Sequence, residues 1–297
     1  MNPDLSAILA TVSGVAVRTS NDYFPAAGGD LPLLEIKNDL GTAVLALQGA
    51  HVLSFIPAGE SDLLWVSPKA QFVSGKAVRG GIPLCMPWFG GHPDGLPSHG
   101  FARNSDWTLQ AAEHCADGTT KVTLSMRDSE ASRKVWPHAF HFELQIQVGR
   151  ELVLKLTTHN TGDTAIPYTY AFHTYFAVED YTRIAVQGLA GCTYIDTLGE
   201  VRRLQQVGDL TFSGTTDRVY LDVPSEQIIV DSARKIKIQS NSQSAVVWNP
   251  GEHAAKMSDV TLAHHKGFIC VERGDVFDNA LSLAPGEQYT AQMTLSL

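Results

Sequence analysis

The chain has 297 residues, of which 44% are hydrophobic and 18% charged, so it is long and apolar enough to bury a large core. A formal net charge of -9 with no basic tail or stripe argues against a nucleic-acid binder, and any anion site has to be a local grouping of Arg or Lys. Cys85, Cys115, Cys192 and Cys270 are widely spread with no C-x-x-C pair, which fits free thiols in a reducing compartment better than a disulfide framework or a zinc knuckle.

From the N-terminus, the apolar run Leu5 to Val17 has the length of a signal core. Nothing basic precedes it, and Asp4 stands where a positive region is needed, so a cytoplasmic location is expected. No stretch approaches the length that spans a bilayer, and no membrane partner is expected. Leu5, Ile8, Leu9 and Val12 recur at helical spacing. The segment from Gly75 to Asp106 then reads as a long loop: it holds Gly80-Gly81, Gly90-Gly91, Pro83, Pro87 and Pro93. Its apolar residues (Ile82, Leu84, Met86, Trp88, Phe89) argue against disorder.

Beyond the loop, period-2 alternation takes over. Val122, Leu124 and Met126 alternate with polar neighbours, as do Phe142, Leu144, Ile146 and Val148, then Leu152, Leu154 and Leu156. Ile236 with Ile238, and Met293, Leu295 and Leu297, repeat the pattern. Alternation puts these side chains on one face of half-buried antiparallel strands. A second short helix is expected near Lys256 to Leu262. No linker or fixed-period repeat divides the chain, so residues 1–297 are expected to form one domain. The expected fold is all-β, a large antiparallel β-sandwich with few short helices.

Several chemistries lack their signatures. There is no phosphate loop, no G-x-G-x-x-G after a strand and no G-x-S-x-G elbow. His138 and His141, and His264 with His265, are spaced so that strand geometry points them apart, and no metal is expected. What remains is a set of polar residues in apolar surroundings. His173 lies between aromatics in "PYTYAFHTYFAV", either as a core histidine bonded to a carbonyl or as an acid–base group. Glu272 ends the apolar run of "GFICVERGDV", either paired with Arg273 or as a carboxyl of raised pKa suited to proton transfer. Arg79 and Arg103 read singly as loop arginines, and Asp217 as a turn carboxylate. Spacing alone does not bring these residues together.

The words "RGGIPLCMPWFG", "LPSHGFARNSDW", "FHTYF", "TDRVY", "VVWNPG" and "ICVERGDV", in that order, resemble the aldose 1-epimerase (galactose mutarotase) superfamily, and more narrowly its hexose-6-phosphate mutarotase branch. The resemblance runs from about Leu34 to "LAPGEQY" and implies a galactose mutarotase-like sandwich. It assigns His173 as the acid facing the ring oxygen and Glu272 as the base facing the anomeric hydroxyl, on opposite sides of the hemiacetal. It places His99 and Asp217 on the sugar, and Arg79 and Arg103 on a 6-phosphate, where guanidinium forks match phosphate oxygens. The implied partner is a small hexose 6-phosphate, with no cofactor and a monomer by default. A mutarotase of unphosphorylated aldoses, a non-catalytic sugar-binding sandwich and a cupin-type metalloenzyme are the alternatives. "AHHKGF" departs from the pattern, and His264 and His265 are expected at the surface.

Overall fold

Alternation in the sequence becomes sidedness in the computed structural model, which describes residues 5–232 and 234–297. Along the strand Phe140–Val148 every second residue is buried, and Leu152–Asn160 repeats the pattern beside it in antiparallel register. These strands belong to a nine-stranded sheet. From one edge its order is Leu210–Thr211, Ala185–Gln187, Glu226–Val230, Lys235–Ser240, Gln288–Ser296, Leu152–Asn160, Phe140–Val148, Thr120–Arg127 and Thr108–His114.

An eight-stranded sheet packs against it. Its path is Arg202–Gln205, Thr193–Asp196, Thr216–Tyr220, Ser244–Asn249, Phe268–Asp275, Tyr170–Phe172 and Leu84–Cys85, with Tyr175–Ala177 also pairing with Phe268–Asp275. Both sheets feed one apolar cluster: Leu144, Leu154, Ile229, Ile238 and Met293 come from the first, and Phe172, Tyr220, Val247, Ile269 and Val271 from the second. Two sheets closed over a shared core make the β-sandwich that alternation implied.

A four-stranded sheet (Val15–Thr19, Pro32–Asn38, Gly41–Ala46, His51–Pro57) escapes the period-2 reading. Gly41–Ala46 and His51–Pro57 are buried on both faces, so they read as near-continuous apolar runs and not as alternation. The helix expected near the N-terminus forms over Leu5–Leu9. The one expected over Lys256 to Leu262 does not form. A 3-10 turn, Gly251–Lys256, ends where that helix was to begin, and Thr261 sits at φ 63, which breaks a right-handed helix. Asp259 is held instead by Ser67, whose hydroxyl donates to its carbonyl oxygen at 2.5 Å. The short helices Ser20–Tyr23 and Glu130–Val135 carry too few residues to show a period.

Candidate active site

The strand Phe268–Asp275 is buried on both faces because it runs through the middle of its sheet. Alternation sends Ile269, Val271 and Arg273 toward the sandwich core, and Cys270 and Glu272 to the other face. Glu272 is therefore not paired with Arg273. That guanidinium, 0% exposed, reaches across to the opposite sheet, bonding the side chain of Gln227 and the carbonyl oxygen of Ser242.

Register builds the rest of the wall. Glu272 stands opposite Val246, and Val246 opposite Val219; Cys270 stands opposite Trp248, and Trp248 opposite Asp217. On the other side Tyr175 pairs with Cys270 and Phe172 with Arg273, which brings the intervening His173 beside Glu272. His173 Nε2 lies 3.3 Å from Glu272 Oε1. The imidazole stacks on Tyr175 (4.8 Å between centroids, 9° between planes), and its backbone N–H donates to Pro83. Its Nδ1 meets no partner among the described residues, so the core histidine satisfied by a carbonyl is not what forms.

Both members of the pair are pressed toward their neutral forms. Burial, reinforced by the nearby Asp217 charge, pushes the Glu272 carboxyl well above the usual carboxylate range. Burial, with His99 and the guanidinium charges of Arg103 and Arg79, holds His173 well below an ordinary histidine. In contact at 3.3 Å, the two are best treated as one unit that holds a single proton over a wide pH range.

The pair opens onto a cavity of about 400 Å³ lined by His99, Asp217, Trp248, Phe277, Glu272 and His173, among others. Asp217 is half-buried in the strand Thr216–Tyr220, not in a turn, and burial raises its pKa. His99 sits at φ 67, and Gly90 N–H donates to its Nδ1 at 3.3 Å, leaving Nε2 to carry the proton. Burial first, then Arg103 and Arg79, lowers its pKa to about 4, so it is a neutral donor at pH 7. The neighbouring Gly100 is at φ +68, and a Cβ there would collide with the Met86 carbonyl oxygen. Only glycine lets the chain turn back so closely after His99.

A smaller cavity of about 180 Å³ adjoins the first and shares Arg79, His99 and His173 with it. Arg79 and Arg103, twenty-four positions apart in the chain, both line it. Arg79 Nε donates to Asp259 Oδ2 at 2.9 Å and Nη1 to the Tyr175 hydroxyl at 2.9 Å; Nη2 bonds none of the described residues. Arg103 Nη2 donates to the Ser98 carbonyl at 2.9 Å, and its buried Nε has no partner among the described residues. Two guanidiniums face one carboxylate, Asp259, so the small cavity is electropositive within a chain of net charge -9.

All six residues singled out in the sequence thus line these two joined cavities. The sequence reading missed Trp248, Phe277, Tyr175 and Asp259, which also line them. Three of the four lie in or beside the words quoted above, but aromatic residues in apolar strands carry no mark separating a cavity wall from core. His264 and His265 do not both reach the surface: His265 is buried, with its Nδ1 2.9 Å from the Leu262 carbonyl oxygen.

The family model for aldose 1-epimerase matches residues 32–296. An Escherichia coli K12 protein named "Putative glucose-6-phosphate 1-epimerase" is 39% identical over 249 residues, covering 82% of this chain and 83% of its own. A Cenchrus ciliaris protein of the same name is 37% identical over 267 residues, covering 86% and 80%. A Salmonella typhimurium crystal structure described as a "putative mutarotase" superposes with a TM-score of 0.84 at 35% identity, covering 90% of each chain.

Proposed function

Because the chain belongs to the aldose 1-epimerase family, we propose that it is a hexose-6-phosphate 1-epimerase, interconverting the α and β anomers of glucose 6-phosphate or a similar aldohexose 6-phosphate. The observation that carries the substrate is the electropositive cavity of Arg79 and Arg103, joined through shared walls to the cavity of His173 and Glu272. A sugar ring in the larger space puts its 6-phosphate within reach of the smaller.

The side-by-side contact of His173 and Glu272 refines how the acid and base act. They do not flank the hemiacetal from opposite sides; they share one wall. That suits the chemistry, because the anomeric oxygen O1 and the ring oxygen O5 are bonded to the same carbon. Glu272 removes the proton from O1, C1=O forms, the C1–O5 bond breaks, and O5 takes a proton from His173. Rotation about C1–C2 presents the other carbonyl face, and closure reverses every transfer. The pair reacts from the form that carries its single proton on His173 and leaves Glu272 ionised, which the burial of both groups keeps a minor form; opening moves that proton to Glu272, and closing returns it. His99 donates from Nε2 and Asp217 accepts from sugar hydroxyls, fixing the ring over the pair. General acid–base help of this kind contributes about 10²–10⁴-fold. No cofactor takes part in these steps.

We read residues 1–297 as one domain, supported by the core cluster common to both sheets, and keep the monomer as the default reading. A cytoplasmic location agrees with four unpaired thiols. No helix among the described residues is long and apolar enough to cross a membrane.

The test is the equilibration of pure α-glucose 6-phosphate followed by anomer-resolved NMR, with free glucose as comparison. The wild type is expected to accelerate the phosphosugar. Arg79→Ala with Arg103→Ala is expected to abolish that while changing the free-sugar rate little. Equal losses on both sugars, or none, would remove the phosphate assignment and leave a mutarotase of unphosphorylated aldoses.

A further inference from the structure

One neighbour of the acid–base pair has no part in the mechanism above. Cys270 lies two residues before Glu272 on the same strand face. One donor atom from each of His173, Cys270 and Glu272 falls within 4.8 Å of the others. All three side chains are buried, and none of the described residues bonds Glu272 Oε2. We propose that these three residues form a binding site for a thiophilic divalent cation, zinc foremost, whose occupation blocks the acid–base pair; the blocking half rests on the proposed roles of His173 and Glu272.

Donor type selects the metal. A thiolate, an imidazole and a carboxylate are a zinc set, whereas magnesium and calcium need several oxygens and find one carboxylate here. Tetrahedral zinc with bonds of ~2.0–2.3 Å separates its ligands by about 3.3–3.8 Å. The imidazole–carboxylate distance of 3.3 Å already fits. Side-chain rotation by about 1 Å brings the sulfur in, an ordinary rotamer adjustment. The cation enters from the larger cavity, which His173 and Glu272 line, and its fourth position faces that cavity, free for water.

Charge favours the same outcome. Burial first, then the Glu272 charge, pushes the Cys270 thiol above its ordinary range, and burial with the Asp217 charge does the same to the Glu272 carboxyl. Zinc inverts this: thiolate and carboxylate together carry -2, which Zn²⁺ cancels in a dry site. Up to two protons leave, one from sulfur and one from the carboxyl, and pass to solvent. Zinc affinity therefore rises with pH, in competition with a sugar that needs the same pair.

The test titrates the full-length protein with Zn²⁺ by calorimetry in buffers of different ionisation enthalpy, and with Co²⁺ by absorption. The expected result is one metal per chain, release of one to two protons, and thiolate-to-cobalt charge-transfer absorption in the near ultraviolet. Cys270→Ser is expected to lose that absorption and to bind zinc at least 10-fold more weakly. Its metal-free mutarotation should stay within about 3-fold of wild type. Cys270→Ala is a second variant should serine fail to fold, and Cys85→Ser controls for another buried thiol. Absence of stoichiometric binding, or affinity and absorption unchanged in both Cys270 variants, overturns the site. Stoichiometric binding that leaves mutarotation intact overturns the blocking. If the protein shows no mutarotation at all, the functional reading fails on its own, and the calorimetry and cobalt spectrum still decide the metal site.

Discussion

Glu272→Gln should act on activity and stability with opposite signs. Glutamine matches glutamate in shape, and its Oε1 keeps the 3.3 Å contact with His173. The other oxygen, partnerless among the described residues, becomes an equally unpartnered amide, so packing is preserved at a residue only 1% exposed. What disappears is the ability to take a proton from O1. Losing one acid–base partner costs about 10²–10⁴ in rate, which is ~3–5 kcal/mol of barrier at 1.36 kcal/mol per tenfold. Stability moves the other way. The folded-state pKa of Glu272 is raised, so its ionisation cost is absent below the unfolded value near 4.5 and grows as pH rises toward the folded value. Across that window wild type loses up to about 1.4 kcal/mol per pH unit relative to the variant. Urea unfolding of both proteins at pH 4.5, 6 and 8, beside anomer-resolved NMR at pH 7, measures both effects. A variant within about 3-fold of wild-type activity refutes the base. A variant that grows less stable against wild type as pH rises refutes the burial argument.

Three other outcomes follow from particular residues. His51 is buried with its Nε2 2.7 Å from the Gly80 carbonyl oxygen, and burial lowers its pKa to about 4. Its folded value is depressed, so the stability it contributes is present above pH 6.5 and lost as pH falls toward 4. The deficit of His51→Gln against wild type, measured by urea unfolding, should narrow by about 3 kcal/mol over that range, and a constant deficit refutes this. Phe277 lines the larger cavity at φ 53 and is 47% exposed, so Phe277→Gly should relieve about 1 kcal/mol or more of left-handed strain. Its melting temperature should hold or rise while KM rises; a marked loss of stability would show that the aromatic ring packs more than its exposure implies. Arg273→Ala leaves Gln227 and the Ser242 carbonyl oxygen without their donor between the sheets, and should cost about 3 kcal/mol or more in denaturant unfolding. A loss below 1 kcal/mol would mean that water replaces the guanidinium.

Local pattern decided much of this protein before any folding was considered. Strict alternation over Phe142 to Val148 and Leu152 to Leu156 specifies strands with one buried face, because side chains on a strand repeat every second residue. It fell silent for Gly41–Ala46, where both faces are buried and no alternation remains to be read. Over 256–262 the local pattern pointed to a helix that does not form, because the packing of Asp259 and a left-handed Thr261 override local preference. The site divides in the same way. The residue types were visible in the chain, and their order supported a family, but no spacing rule connects Arg79 to Arg103 or His173 to Glu272. Their meeting depends on strand register: Tyr175 opposite Cys270 and Phe172 opposite Arg273 put an imidazole against a carboxyl ninety-nine residues away. Register also turned Arg273 into the core and Glu272 toward the cavity, separating neighbours that the sequence places side by side. The proposed proton chemistry requires a carboxyl out of water and an imidazole in contact with it. Burial and contact are properties of the packed sheets, so the tertiary structure alone could settle them.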